Sequence, residues 1–277
     1  LYDALIHMFG TAGTGGFSNY TDSVGHFGSP AVENVISVFM LLFGVNFTMY
    51  YHMATRNYRG IWKSTELRLY AALVACAVLG VAASIRGMYP DAWTALRYSL
   101  FQVSSIVTTS GFATANFDLW PLFAKGVLVI LMLTGCCAGS TGGGMKLIRV
   151  SVLFKGLGRE IRRAARPREV SVVRVDGRAA GEDMVASVYV FFFAYMLVIV
   201  MASLVVSLDN LDLSTTLTSV ISSVGNIGPG LSQAGPAGSF AMFSPLSKIV
   251  LSLCMLVGRL DVLPILMLAS RRAWSRP

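Results

Sequence analysis

Residues 91–118 (DAWTALRYSLFQVSSIVTTSGFATANFD) lie between long apolar segments, yet they are too short and too broken to cross a bilayer themselves. The first half, Ala92–Val107, sets Ala92, Leu96, Leu100, Val103 and Val107 at helical spacing. The second half, residues 108–113, is TTSGFA: small hydroxyl residues, then Gly111, then an aromatic. Glycine reaches backbone angles closed to other residues, so several carbonyls can point the same way. A row of inward carbonyls can stand in for the water around a small cation. The stretch therefore reads as a re-entrant helix followed by an ion-coordinating turn.

The surroundings fit a bilayer. Only 13% of the 277 residues are charged and 55% are hydrophobic, whereas a water-soluble domain carries about 25% charged residues. Mean hydropathy is +0.65. The apolar runs are long rather than alternating, which selects helices over a barrel. The net charge of +8 sits between the apolar segments, as in cytoplasmic loops. No compact basic domain or groove-reading motif is present, which argues against nucleic-acid binding. His7, His26 and His52 share no metal-ligand spacing, and no carboxylate pair suits acid–base catalysis. Cys76, Cys136, Cys137 and Cys254 all fall in apolar stretches and read as packing residues.

The opening pattern recurs. Residues 1–10 form a short apolar run that leads into Gly13–Ser18 (GTGGFS), and residues 212–224 form another that leads into residues 225–230 (GNIGPG). The turn glycines are Gly16, Gly111 and Gly228. Helices open downstream at Pro30, Pro121 and Pro245, with Gly44, Gly135 and Gly258 following 14, 14 and 13 residues later. Residues 67–81, extending to about Tyr89, and residues 184–208 read as membrane spans; residues 122–133, 146–158 and 246–268 read as further helices. A unit of span, re-entrant loop and span repeated in this way implies pseudo-symmetric packing about an axis. The chain divides into residues 1–66, 67–178 and 179–277: the back half of one unit and two whole ones. It opens on a turn without Met, so further sequence, including another filter strand, is expected before Leu1.

Basic residues cluster at Arg56, Arg59, Lys63 and Arg68, at residues 146–178, and at Arg271, Arg272 and Arg276. If each long segment crosses once and each loop returns, all three clusters share one side. By the positive-inside rule that side is cytoplasmic. Asp22 and Asp118 then lie near the outer mouth, where they could concentrate cations or simply solvate loops. Residues 159–178 read as a solvated basic connector, with anionic lipid or a cytosolic partner as the alternative.

Five glycines in residues 135–144 cannot hold a stable helix, since each weakens it by about 1 kcal/mol relative to alanine. Irregular backbone at membrane depth survives only inside protein or beside a water cavity. The segment is no phosphate loop: Met145 precedes Lys146 and Leu147 follows it, so Gly-Lys-Ser/Thr is missing. Arg259 lies some 14 residues into the last helix, about 21 Å from its start. Burial there costs about 2.5–3.5 kcal/mol, so it needs a partner or must snorkel; Asp261 does not share its face.

GTGGFSNYTDSVGHFGSP, TTSGFAT, GCCAGSTGGGMKLIR, GNIGPGL and GRLDV resemble, in order, motifs of the TrkH-type subunit of the Trk/Ktr/HKT potassium transporters. The resemblance covers essentially the whole chain. It implies an all-α membrane protein with pseudo-fourfold repeats of membrane helix, re-entrant pore loop and membrane helix, like a K⁺ channel and incomplete here at the N-terminus. On this pattern K⁺, the transported ion and the only metal, binds carbonyls of Thr14, Gly15, Gly16, Thr109, Ser110, Gly111, Asn226, Ile227 and Gly228. The gate is Gly139, Ser140, Thr141, Gly142, Gly143 and Gly144, with Arg259 as a positive barrier. No organic cofactor is expected. The implied assembly is a homodimer in the bacterial inner (plasma) membrane, surrounded by lipid. It would be gated by a cytosolic ring of nucleotide-binding TrkA-type regulatory subunits, met by residues 159–178 and the C-terminal tail. The alternative is a non-conducting membrane scaffold or sensor that keeps the fold.

Overall fold

The computed structural model describes residues 1–166, 172–260, 264, 265 and 267. Asp261 and the tail arginines Arg271, Arg272 and Arg276 lie outside these residues. In chain order the helices are α1 (Tyr2–Ala12), α2 (Pro30–Phe43), α3 (Phe47–Ala54), α4 (Tyr58–Lys63), α5 (Thr65–Ile85), α6 (Ala92–Val107), α7 (Leu122–Thr134) and α8 (Leu147–Ala165). A hairpin, β1 (Arg174–Val175) and β2 (Arg178–Ala179), precedes α9 (Glu182–Val206), α10 (Leu213–Gly225) and α11 (Pro245–Leu260).

Local chemistry sets the boundaries. Pro30 begins α2, where its missing N–H loses nothing. The Asn46 side chain accepts from Thr48 N–H and starts α3 afresh, leaving α2 and α3 bent by 90°. Ser64 caps α5 through Leu67 N–H, and Asp212 caps α10 through Thr215 N–H. Thr65–Met88 and Glu182–Asp209 are long and apolar enough to cross a membrane, with mean hydropathy 1.9 and 2.6. The short helices α1, α6 and α10 instead end in turns. This is an all-α membrane fold of spans alternating with re-entrant loops.

The main core gathers residues of α5, α6, α7, α9, α10 and α11, including Val81, Ile106, Leu128, Tyr195, Val220 and Leu251. On α6 the expected apolar face is only half the account. Ala92 is exposed and Leu96 and Leu100 are partly exposed, whereas Ala95, Ser99 and Gln102 are buried. In a bilayer the apolar side of a helix need not be its inner side, since lipid is as apolar as a core.

Most described residues of the connector are exposed, as a solvated face would be; Arg159 and Val173 are the buried exceptions. α8 runs on to Ala165, and Arg159 is buried between Glu160 and Glu182, at 3.0 and 2.7 Å. Val173 packs with Val152, Val185 and Val188. Of the four cysteines, Cys136, Cys137 and Cys254 are buried and Cys76 is exposed. Gly258 lies within a helix, unlike Gly44 and Gly135 at helix ends; glycine is needed there because a Cβ would overlap the Val224 carbonyl oxygen.

Candidate functional site

The three turns have one backbone pattern. Thr14, Thr109 and Asn226 have φ of 51°, 58° and 55°; Gly16, Gly111 and Gly228 have φ of 61°, 81° and 111°; the residue between each pair has negative φ. Each left-handed residue other than glycine is strained by about 1–2 kcal/mol, so its recurrence at matching points is imposed by surroundings. Backbone bonds match too. Gly15, Ser110 and Ile227 N–H donate to Gly10, Ser105 and Ser222 carbonyls at 2.8, 2.9 and 2.9 Å. The next N–H returns to the same residue: Gly16 and Gly111 to the carbonyl at 3.4 Å, Gly228 to Ser222 Oγ at 3.1 Å.

The turns also interlock. A Cβ on Gly16 would overlap the Ser110 carbonyl oxygen, and one on Gly111 would overlap the Ile227 carbonyl oxygen. The first turn thus seats on the second and the second on the third. Gly228 has no atom within 4 Å of its Cβ position. Outside the turns, Ala113 N–H donates to Ser23 Oγ, and Gly25 N–H donates to Ala113 O, at 3.2 and 3.1 Å. Asp118 Oδ1 accepts from Ser232 N–H at 2.7 Å and pairs with Lys125 at 3.6 Å. Asp118 therefore braces one outer loop against another. Asp22 stays exposed. Each turn follows the C-terminal end of a short helix, where the macrodipole favours a cation.

Against them runs the glycine-rich loop between α7 and α8. Gly135 leaves α7 at φ 67°, and Gly139, Gly144 and Lys146 are also left-handed. Lys146 Nζ donates to the Gly142 carbonyl. Gly143 N–H donates to Thr109 Oγ1 at 2.7 Å, and a Cβ on Gly142 would meet the Thr108 carbonyl at 2.7 Å, so the loop lies directly against the second turn. The Thr141 carbonyl accepts from Thr14 Oγ1 at 3.1 Å and from Arg259 Nη1 at 2.9 Å. Arg259 is exposed rather than buried, and the partner it finds is a main-chain oxygen on the loop. Phe47 N–H donates to the Gly139 carbonyl at 3.0 Å, which ties the α2–α3 bend to the same loop. Ser140 Oγ turns back onto the Cys137 carbonyl at 2.5 Å.

In the sequence Glu66 is the one acid among Arg56, Arg59, Lys63 and Arg68. Its buried Oε1 accepts from Ala138 N–H at 2.7 Å and from Ile148 N–H at 3.1 Å. A glutamate in the first turn of an apolar span is the only local signal, and nothing in it names partners 72 and 82 residues away.

The family model described as TrkH, cation transport protein, matches residues 1–275. The Trk system potassium uptake protein TrkH of Salmonella typhimurium is 35% identical over 276 residues, 99% of this chain and 57% of that protein. The Escherichia coli K12 protein of the same name is 33% identical over the same shares. The crystal structure of the potassium transporter TrkH from Vibrio parahaemolyticus superposes with a TM-score of 0.90 at 34% identity, covering 99% of this chain and 59% of that one. The chain thus spans 57% of the length of these curated relatives.

Proposed function

This chain belongs to the TrkH family of cation transport proteins, membrane transporters rather than enzymes, and on that premise we propose that it carries potassium ions through a filter of backbone carbonyls. The carbonyls are those of Thr14, Gly15 and Gly16, of Thr109, Ser110 and Gly111, and of Asn226, Ile227 and Gly228. An entering ion sheds water there, where carbonyl number and spacing favour K⁺ over Na⁺. It then meets the loop of residues 139–144 as a gate, with the Arg259 guanidinium as a positive barrier. The relatives are named potassium uptake proteins of the Trk system, which supports potassium as the cargo.

We divide the chain at residues 66 and 178 into the end of one repeat and two whole repeats, and assign a fourth turn to the open flank of Gly228. The basic loops face the cytoplasm of a bacterial inner membrane, and the protein works as a homodimer with a cytosolic nucleotide-binding ring. The observation that carries the reading is the shared sign pattern of φ at three turns, with the glycine of one seated on the carbonyl of the next. Four inward strands held in mutual register are what a dehydrated ion requires.

Tracer rubidium uptake into proteoliposomes holding the full-length protein tests it. The expected result is uptake above that of empty vesicles, suppressed by excess K⁺ more than by excess Na⁺. A correctly folded protein that passes no rubidium would leave the scaffold in possession and end the transport reading.

A further inference from the structure

Thr65 opens α5 and Glu66 follows it directly. One buried oxygen, Glu66 Oε1, holds Ala138 N–H, just beyond α7, and Ile148 N–H, in the first turn of α8. A single atom thus clamps both flanks of the glycine-rich loop. One peptide earlier, Thr65 N–H donates to Asp176 Oδ1 at 2.6 Å. Asp176 is an exposed residue at the tip of the β1–β2 hairpin, left-handed at φ 50°. The hairpin is itself seated: Val173 packs among Val152, Val185 and Val188, and Lys155 Nζ donates to the Arg174 carbonyl at 2.9 Å. A continuous line of contacts therefore runs from the hairpin, through two adjacent residues joined by a rigid peptide, to both ends of the loop.

The two ends of the loop differ in how firmly they are held. At its tip, the Thr141 carbonyl is met by a hydroxyl and by the exposed Arg259. At its base, a buried carboxylate accepts two backbone N–H groups; both ends include a charged partner, but the Arg259 guanidinium is open to competing solvent whereas the Glu66 oxygen is shielded from it. Opening by release of the tip, with the base kept, is the path that breaks the weaker set.

We propose that Glu66 is the positioning residue on which the intramembrane loop pivots, and that Asp176 sets the place of that pivot, making the hairpin the handle of the gate. This rests on the reading of the loop as a barrier in the ion path. Glu66 touches no ion; it acts through Ala138 and Ile148. The handle lies on the basic side of the membrane, so anything that displaces the hairpin there alters the resting leak.

The test uses the full-length protein, reconstituted alone, with rubidium flux and the K⁺/Na⁺ permeability ratio read together. Glu66→Ala removes both acceptor bonds and should raise resting flux about tenfold, with the ratio unchanged because the turns are untouched. Glu66→Gln keeps a carbonyl oxygen for both N–H groups and should restore most of the resting behaviour. Asp176→Ala, at an exposed site, should raise flux about threefold. Thr65→Pro removes the donor at the first helical position, where proline is tolerated; Ser64 before it is already extended, with φ −63° and ψ 114°. It should match Asp176→Ala, and the double variant should go no further, since both cut one bond.

Wild-type flux in Glu66→Ala, alongside altered flux in Arg259→Ala, would overturn the pivot and leave the gate standing. Unchanged flux in both variants of a conducting protein would overturn the barrier reading and the pivot with it. Should Glu66→Ala fail to fold, the surface pair decides: additive effects of Asp176→Ala and Thr65→Pro, or none, would overturn the coupling.

Discussion

Gly111→Ser is the change whose consequence the geometry sets most tightly. Gly111 has φ of 81°, a conformation that penalises an L side chain by about 1–2 kcal/mol. The new Cβ would overlap the Ile227 carbonyl oxygen and come within 3.1 Å of its carbon and 3.2 Å of Pro229 Cδ. Real Cβ atoms essentially never approach closer than 3.0 Å, so the Ile227 oxygen must retreat by about 1 Å. The atoms in the way are mainly backbone, which cannot swing aside, and overpacking of this kind adds about 1–3 kcal/mol. The total is about 2–5 kcal/mol, concentrated on one of the proposed ion ligands. If about 1.4 kcal/mol of it falls on K⁺ coordination, affinity drops tenfold. Reversal potentials under opposed K⁺ and Na⁺ gradients, measured on full-length protein in planar bilayers, should show the K⁺/Na⁺ ratio collapsing towards one. Thermal unfolding in detergent should move down as well. Gly126→Ala is the control: it lies within α7 with nothing within 4 Å, and should change stability by less than about 1 kcal/mol. A Gly111→Ser protein with the parent's ratio and the parent's melting temperature would refute the reasoning.

Four further outcomes are expected. Glu33 and Arg97 form an ion pair between α2 and α6 at 3.1 Å, with side chains 4% and 14% exposed and the N–H not aligned on the oxygen; Glu33→Ala should destabilise by about 3–5 kcal/mol in thermal unfolding, with most of it recovered by replacing both partners with apolar residues. Gly258→Ala drives a Cβ into the Val224 backbone carbonyl and should lose about 1–3 kcal/mol. Gly156→Ala meets the hydroxyl end of the exposed Tyr189 side chain rather than backbone, and should lose less than about 1 kcal/mol on the same melting curve. Arg259→Ala removes the donor to the Thr141 carbonyl and should raise resting rubidium flux several-fold, a change that added guanidinium would partly reverse.

What could be read before the structure was local. Helix α6 runs over the residues its spacing outlined; the backbone is extended at Asp91 before it and turns left-handed at Thr109 after it. The glycine-dense segment after α7 is irregular because no helix survives that composition. Long-range partnerships were illegible. Glu66 reaches residues 72 and 82 positions away, and Thr65 reaches Asp176 across 111; a carboxylate in a first helical turn looks the same whether or not it holds a loop. Gly258 and Gly135 looked alike by spacing, yet one admits a neighbouring backbone and the other ends a helix. Asp118 looked like a free acid at a mouth until Ser232 and Lys125 came beside it. Sequence periodicity cannot separate a helix side that meets lipid from one that meets protein, and this is why Ser99 and Gln102 were passed over on α6.

The seating of Gly16 on Ser110 and of Gly111 on Ile227 has a bearing on how such a protein can change over time. The three turns are geared like a train of cogs, each tooth shaped by the one beside it. Damage at one tooth is then mended most readily on its neighbour, by a residue remote along the polypeptide. Suppressors selected against a bulky residue at position 16 should accumulate around position 110, and those against one at 111 around 227. Drift among these turns would proceed by paired substitutions passing from one turn to the next.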